Sequence, residues 1–513
     1  MTADFITVAR PHRGMIATCM VAAPMLQAID ATIANVALPH MQGTLGASTD
    51  QISWVLTSYL IAAAIVTPAM GWLSERLGRR FLFLASVAGF TITSMACGAA
   101  QSLEQIVIFR LLQGVFGASL MPLSQAVMLD LYEPHERGEA MALWSTAVML
   151  GPILGPTLGA WLTDTYSWRY VFYINLPVGV LGFIGMWAYL PETARDTARR
   201  FEWTGFLALG LGVAALQLVL DRGETKDWFS SAEIVVEATL SAIGFYLFFV
   251  HMALADKPFV TRSILRDRNF VTCLGVQFGL NIVLNSTSAL LPPYLQTLAG
   301  YPVLLAGLAL SPRGLGTIIA GRIVGRFMNK VDPRALMLGG LAALAYSVYD
   351  MTLWTPDTSI AEQIPIVMLQ GATLSLVFIP LQIVAFATLP APLRTEATSI
   401  IALFRNMGGA VGISVLETLL ARNTQVAHAD LARFANPFNR PLHTGAAAHF
   451  WNTATPHGIA ALDSLVNYQA QIIAYRDDFL AMFIGMFPAA VLILLMRRPR
   501  TVEEAPEDHL LVE

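Results

Sequence analysis

Two ionisable side chains in the first third of this sequence stand inside long apolar runs, where chemistry is easiest to recognise. Asp30 lies in LQAIDATIANVALP, residues 26–39, with Gln27 on the same helical face, and Arg110 lies in FRLLQGVFG, residues 109–117. An ionisable group within lipid costs about 2.5–3.5 kcal/mol even on a lenient insertion scale, so a retained one is a functional candidate. A carboxyl there can be neutral or charged according to its water access and its partner, which is what a proton carrier needs. The competing reading is a structural ion pair between Asp30 and Arg110. Offsets of three, four and seven place Arg110, Gln113, Gly114 and Gly117 on one face, the glycines admitting a close neighbour. A fixed positive charge near Asp30 favours its ionised form. A cationic substrate in the same site would favour it further and release a proton, coupling two fluxes with no covalent step. No residue is read as catalytic.

The surroundings of these residues follow from composition. Of 513 residues 55% are hydrophobic and only 13% charged, and mean hydropathy is +0.59. A soluble protein carries about 25% charged residues, so lipid has to be the solvent for most of this chain. A net charge of -4 without a basic block argues against nucleic acid as a partner. Cys19, Cys97 and Cys273 stand in separate apolar stretches, without the spacing of a disulfide framework or a thiolate metal site. A span takes about 20 apolar residues. The sequence predicts fourteen, near 15–38, 51–73, 82–100, 104–128, 138–163, 169–190, 203–220, 232–254, 270–294, 302–324, 335–354, 363–389, 396–420 and 479–496. If both termini are cytoplasmic, most lysines and arginines fall on the inside, in the even-numbered connections and at the two ends, which sets that orientation.

The turn after the second span reads Gly71-Trp72-Leu73-Ser74-Glu75-Arg76-Leu77-Gly78-Arg79-Arg80, and a weaker echo, Gly325 to Arg334 with Asp332 in place of the second glycine, follows the tenth. The chain thus divides into a six-helix half over 1–200, an inserted helix pair with its linker over 201–256, and a second six-helix half over 257–513. The last part carries an outer loop over 422–478 and a cytoplasmic tail. The loop's His428, His443, His449 and His457 are too irregularly spaced to suggest a metal site, and none is expected. The fifth span holds Gly151, Pro152, Gly155, Pro156 and Gly159, a kinked helix with a smooth face that only a membrane bundle tolerates. Gln277, Asn281 and Asn285 recur every four residues on the ninth, a polar stripe expected to face a cavity. Arg405, beside Gly408, Gly409 and Gly412, and Arg313 either brace helices or meet anionic groups. Glu417 and Asp350 fall near span ends, where snorkelling suffices.

These features resemble the major facilitator superfamily. Its inner-loop pattern is matched at Gly71, Leu73, Glu75, Arg76, Gly78, Arg79 and Arg80, with glutamate for the usual aspartate. The Gly-Pro-x-x-Gly run at Gly151–Gly155 is similar to the antiporter signature of proton-driven exporters. The stretch around Asp30, the Trp168–Gly179 segment leading into span six, and Asp221-Arg222-Gly223 with Asp227-Trp228 resemble the fourteen-helix multidrug:proton antiporters of the EmrB and QacA type. The resemblance implies an all-α membrane protein of the major facilitator fold, two six-helix halves with two extra central helices, rocking around a midplane site. It implies proton coupling by Asp30 and Arg110 and a leak guard in the Gly151–Gly159 helix; the polar residues within the spans, Gln27, Gln113, Gln277, Asn281, Asn285 and Arg405, are the candidates for lining the cavity.

The expected function is export of amphipathic small molecules across the bacterial inner membrane, driven by the proton gradient without a cofactor. The resemblance also allows a periplasmic adaptor and an outer-membrane channel as partners. Alternatives are a proton symporter, an exporter of one narrow substrate such as a fatty acid or siderophore, and a membrane-embedded enzyme or sensor. The sequence has no GxxxxGK[ST] phosphate loop for an ATP-driven pump, nor convergent His, Glu or Cys ligands within spans for an enzyme.

Overall fold

A computed structural model describes residues 12–133, 136–193, 195, 201–256, 258–328, 330–390, 393–435, 450–452 and 455–496. The described chain is helical. Its main helices are α1 Arg13–Leu45, α2 Trp54–Leu77, α3 Arg79–Ala99, α4 Leu103–Leu131, α5 Arg137–Thr165, α6 Tyr170–Tyr189, α7 Trp203–Arg222, α8 Ala232–Leu254 and α9 Arg268–Leu298. There follow α10, in the two pieces Val303–Leu310 and Pro312–Phe327, α11 Pro333–Met351, α12 Ile360–Ala387, α13 Arg394–Ala432 and α14 Pro456–Leu495. Among the described residues eleven of these are long and apolar enough to cross a membrane, all but α5, α10 and α11.

The helices start and stop where the backbone can be satisfied. Ser102 caps α4 by accepting from the Gln105 amide at 3.3 Å, Asp267 caps α9 through the Phe270 amide at 2.8 Å, and Thr455 caps α14 through the Gly458 amide at 3.0 Å. The arginine-rich turn between α2 and α3 needs Gly78, whose φ is +85°. Its echo solves the same problem differently. Asp332 accepts from the Arg334 amide at 3.0 Å and Pro333 opens α11, so an N-cap stands where the first turn has a glycine. α4 is interrupted at Ala118 and Ser119, and α6 at Ile174, which begins its long part at Asn175.

The packing repeats. In the first six helices α1 lies on α5, α2 on α4 and α3 on α6, and in the last six α9 lies on α13, α10 on α12 and α11 on α14. The two sets meet through α5 with α10, α4 with α13, and the end of α2 with α13. The intervening pair is attached by α7, which touches α2 and α13, while α8 packs on α7 and leaves most of its surface outward.

Two expectations from hydropathy need correction. The segment 422–478, expected as a loop, is largely helical, because α13 continues to Ala432 and α14 begins at Pro456. These polar extensions pair antiparallel, with His428 Nε2 3.0 Å from Asp463 Oδ1. Hydropathy detects only the lipid-embedded part of a helix, so it truncated both. The tenth span, expected as one helix, is broken at Ser311, where Pro312 opens the second piece. His443, His449 and the tail over 497–513 lie outside the described residues.

Candidate proton site

α1 places Asp30 against α4 and α6, and the carboxylate is completely buried there. Arg110 Nη1 donates to Asp30 Oδ2 at 2.6 Å, Gln113 Nε2 to Oδ1 at 3.0 Å, and Asn175 Nδ2 to Oδ1 at 2.7 Å. A second layer fixes these donors. Arg110 Nη1 also reaches Gln113 Oε1 at 2.8 Å, and Asn175 Nδ2 also reaches Ser94 Oγ at 2.9 Å. The Ser94 hydroxyl donates in turn to the Phe172 carbonyl at 2.9 Å. The guanidinium of Arg110, only 1% exposed, lies 4.8 Å from the Phe172 ring centre and 5.3 Å from that of Tyr59. Three donors, one of them the Arg110 cation, converge on the buried Asp30 carboxyl. The Asp30–Arg110 pair thus ties α1 to α4, and Asn175 ties both to α6.

The smooth face of α5 lies on the same stretch of α1. A Cβ at Gly151 would collide with Ala28, one at Gly155 with Thr32, and one at Gly159 would stand 2.9 Å from Ile33 Cγ1 and 3.0 Å from the Ile33 carbonyl oxygen. Thr32 Oγ1 donates across the seam to the Gly151 carbonyl at 3.3 Å. The glycines therefore bring the α5 backbone directly against the turns of α1 on either side of Asp30. The side chains of Pro152 and Pro156 lie outside the described residues.

At the end bearing the arginine-rich turn the two helix sets are closed against each other. Arg79 Nη1 donates to Asp130 Oδ2 at 2.6 Å, and Arg394 of α13 pairs with the other oxygen of the same carboxylate. A Cβ at Gly71 would lie 2.8 Å from Glu396 Cα, and Thr398 Oγ1 donates to the Pro122 carbonyl at 3.2 Å. Glu396 accepts from Thr261 Oγ1 at 2.9 Å. Arg80 reaches the Trp187 carbonyl at 2.6 Å, Arg76 lies 5.6 Å from the Trp72 ring, and Glu75 is half-buried nearby. Within the motif, Arg79 reaches Asp130 and through that carboxylate meets Arg394 of the second helix set.

In the last six helices the polar residues are arranged otherwise. The amides of Asn281 and Asn285 donate along their own helix, to the Gln277 and Asn281 carbonyls at 2.6 and 3.1 Å, and Asn285 packs against Gly409. Gln277 and Asn281 are buried, and Asn285 lies in the seam between α9 and α13. Arg405 reaches across to Met121 Sδ at 2.7 Å. Arg313 donates to Ser288 Oγ at 2.6 Å and to Gln370 Oε1. Among the described residues neither arginine has a carboxylate within 4.0 Å. Gln27 lies beside Tyr59 next to the Asp30 pair.

Sequence reasoning singled out Asp30, Arg110 and Gln113, which the structure brings together. It overlooked Asn175 and Ser94 in the same network, and Asp130 at the closed end. The available signal for Asn175 is an amide within the apolar Trp168–Gly179 segment.

Comparison with known proteins follows the same lines. Residues 20–413 match the Major Facilitator Superfamily. The fatty acid resistance protein FarB of Neisseria gonorrhoeae is 35% identical over 474 residues, 91% of this chain and 93% of that protein. The multidrug export protein EmrB of Escherichia coli K12 is 36% identical over 420 residues, 81% of this chain and 82% of its own. Among solved structures, the human organic anion transporter MFSD10 superposes with a TM-score of 0.61 at 15% identity, covering 92% of this chain and 99% of that one, which bears on the fold alone.

Proposed function

Because this chain belongs to the Major Facilitator Superfamily and is a multi-pass membrane protein, we propose that it is a proton-coupled exporter of amphipathic small molecules, working by alternating access. One observation carries the reading. Asp30 is a fully buried carboxylate held by Arg110, Gln113 and Asn175, on a helix whose flanking turns are clasped by the glycine face of α5. Proton binding at Asp30 releases Arg110, and the shift of α1 against α4, α5 and α6 is passed to the contacts that close the Arg79–Asp130–Arg394 end. A substrate that draws on the same network displaces the proton. The relatives named for multidrug export and for fatty acid resistance support export as the direction.

In this reading α5, α10 and α11 cross the bilayer with the other eleven, giving fourteen spans, and both termini face the cytoplasm, as the placement of arginines favours. The paired extensions of α13 and α14 then project outward, the face an adaptor would meet. A second reading, export of one class of amphipathic anions, is favoured by Arg313 and Arg405, two cations without carboxylate partners among the described residues, and by the FarB relative. The test is reconstitution of the purified protein in liposomes under an imposed pH gradient, with lipophilic cations and long-chain carboxylates as substrates. Accumulation against the substrate gradient that collapses with the pH gradient supports antiport, and accumulation indifferent to the pH gradient contradicts it.

A further inference from the structure

Asp478, on α14, is fully buried, and neither of its carboxyl oxygens has a hydrogen-bond partner. Its own helix supplies Tyr475 and Phe479, both buried, while the neighbouring Arg476 and Asp477 are exposed and turn away. The end of α9 supplies Tyr294, whose ring lies 5.3 Å from Tyr475 and 6.3 Å from Phe479 and whose hydroxyl is also unpartnered. From α11, Tyr349 packs on Phe483 at 5.5 Å. From α13 come Asn423, which faces Asp478 without hydrogen-bond geometry, Glu417, which lies toward Tyr475, and Arg422, which is exposed. Among the described residues no cation stands within 4.0 Å of the carboxyl.

A buried ionised carboxylate with neither a counter-ion nor a donor is too costly to persist, and the group neutralises by taking up a proton. We propose that Asp478 is a second proton-binding site, occupied while the two helix sets are closed at the Arg79–Asp130–Arg394 end and vacated when α13 moves. The link is α13 itself. It carries Arg394, Glu396, Thr398 and Arg405, which make the closing contacts with the first six helices or their surroundings, and it also packs along α14. At 1.5 Å per residue, Asn423 lies about 43 Å along α13 from Arg394, so Asp478 sits at the opposite end of the bundle from the closure. Tilting α13 to open one end changes the packing around Asp478 at the other. This inference rests on the proton-coupled reading but involves a different residue, and the two can fail separately.

The test is infrared difference spectroscopy of the purified full-length protein, wild type against D478N and D30N, following the C=O stretch of protonated carboxyls in H2O and D2O at neutral pH. The expected result is a deuteration-sensitive band that is present in wild type and D30N and absent in D478N. Substrate-triggered proton release, measured separately in D30N, tests the antiport reading. An unchanged band in D478N overturns the inference and leaves the antiport reading standing, whereas loss of release in D30N bears only on the latter. Thermal unfolding gives a second readout, with D478L as a further variant. A carboxyl neutral in the fold and ionised in the unfolded chain stabilises the fold as pH falls. D478N and D478L should both flatten that dependence, and a dependence equal to wild type in both overturns the inference.

Discussion

Asn175 stands 2.7 Å from Asp30, its amide donating to the carboxylate across two helices separated by 145 residues of sequence. The same amide is shared with Ser94, which anchors it to the backbone of the first turn of α6 at Phe172. Replacing Asn175 with alanine removes one of three donors to the ionised form, a bond to a charged group worth about 1.5–3 kcal/mol. N175A should therefore transport more slowly than wild type, because the Asp30–Arg110 pair loses a partner that holds it in place. Uphill transport by N175A and wild type inserted to the same level checks this, and an unchanged rate removes Asn175 from the site.

The legible part of this site was what lies on single helices. Asp30 betrayed itself as a charge in an apolar run, and Arg110 and Gln113 share a face by their spacing alone. Asn175 acts because α6 packs against α1 beside Asp30, a tertiary fact that no spacing within the segment carries. Asp130 escaped notice because it sits beyond the apolar part of α4 and because its partner Arg394 lies 264 residues away. The helical extensions of α13 and α14 were hidden for the opposite reason, being too polar for hydropathy to count. The repeated packing of six helices was foreshadowed by the 71–80 turn and its echo, although the echo uses Asp332 as a cap rather than a glycine.

The seam between α1 and α5 orders two substitutions. A methyl group at Gly151 meets Ala28 and the backbone following it, with Ile29 N at 2.9 Å, and these cannot yield without moving α1. At Gly155 its first obstacle is the Thr32 hydroxyl, which can rotate. G151A should therefore lose more thermal stability and more transport than G155A, with overpacking at roughly 1–3 kcal/mol. Unfolding midpoints and uphill transport of both variants decide it, and a reversed order contradicts the seam.

Asp130 holds Arg79 and Arg394 together at the closed end. Asparagine there withdraws the charge that both arginines need, so D130N should shift the protein toward conformations open at that end. Spin labels at the exposed positions Phe81 and Arg326 should move apart in D130N relative to wild type. An identical distance distribution would show that this ion pair does not hold the two sets closed.

Arg110 is buried against Asp30, and removing one member of such a pair costs about 3–5 kcal/mol when the other stays charged. R110A should be markedly less stable than wild type at pH 8, and the double variant R110A/D30N should recover much of the loss. A double variant no more stable than R110A at pH 8 would contradict the pairing.

The central claim is that a proton on Asp30 is exchanged for substrate. Inside-out membrane vesicles carrying wild type or D30N, energised and given a panel of lipophilic cations and anions, report this through substrate-triggered proton release. The account predicts release in wild type with at least one class of compound and none in D30N, with both proteins inserted to the same level. Equal release from the two would move the coupling proton away from Asp30 and contradict the account.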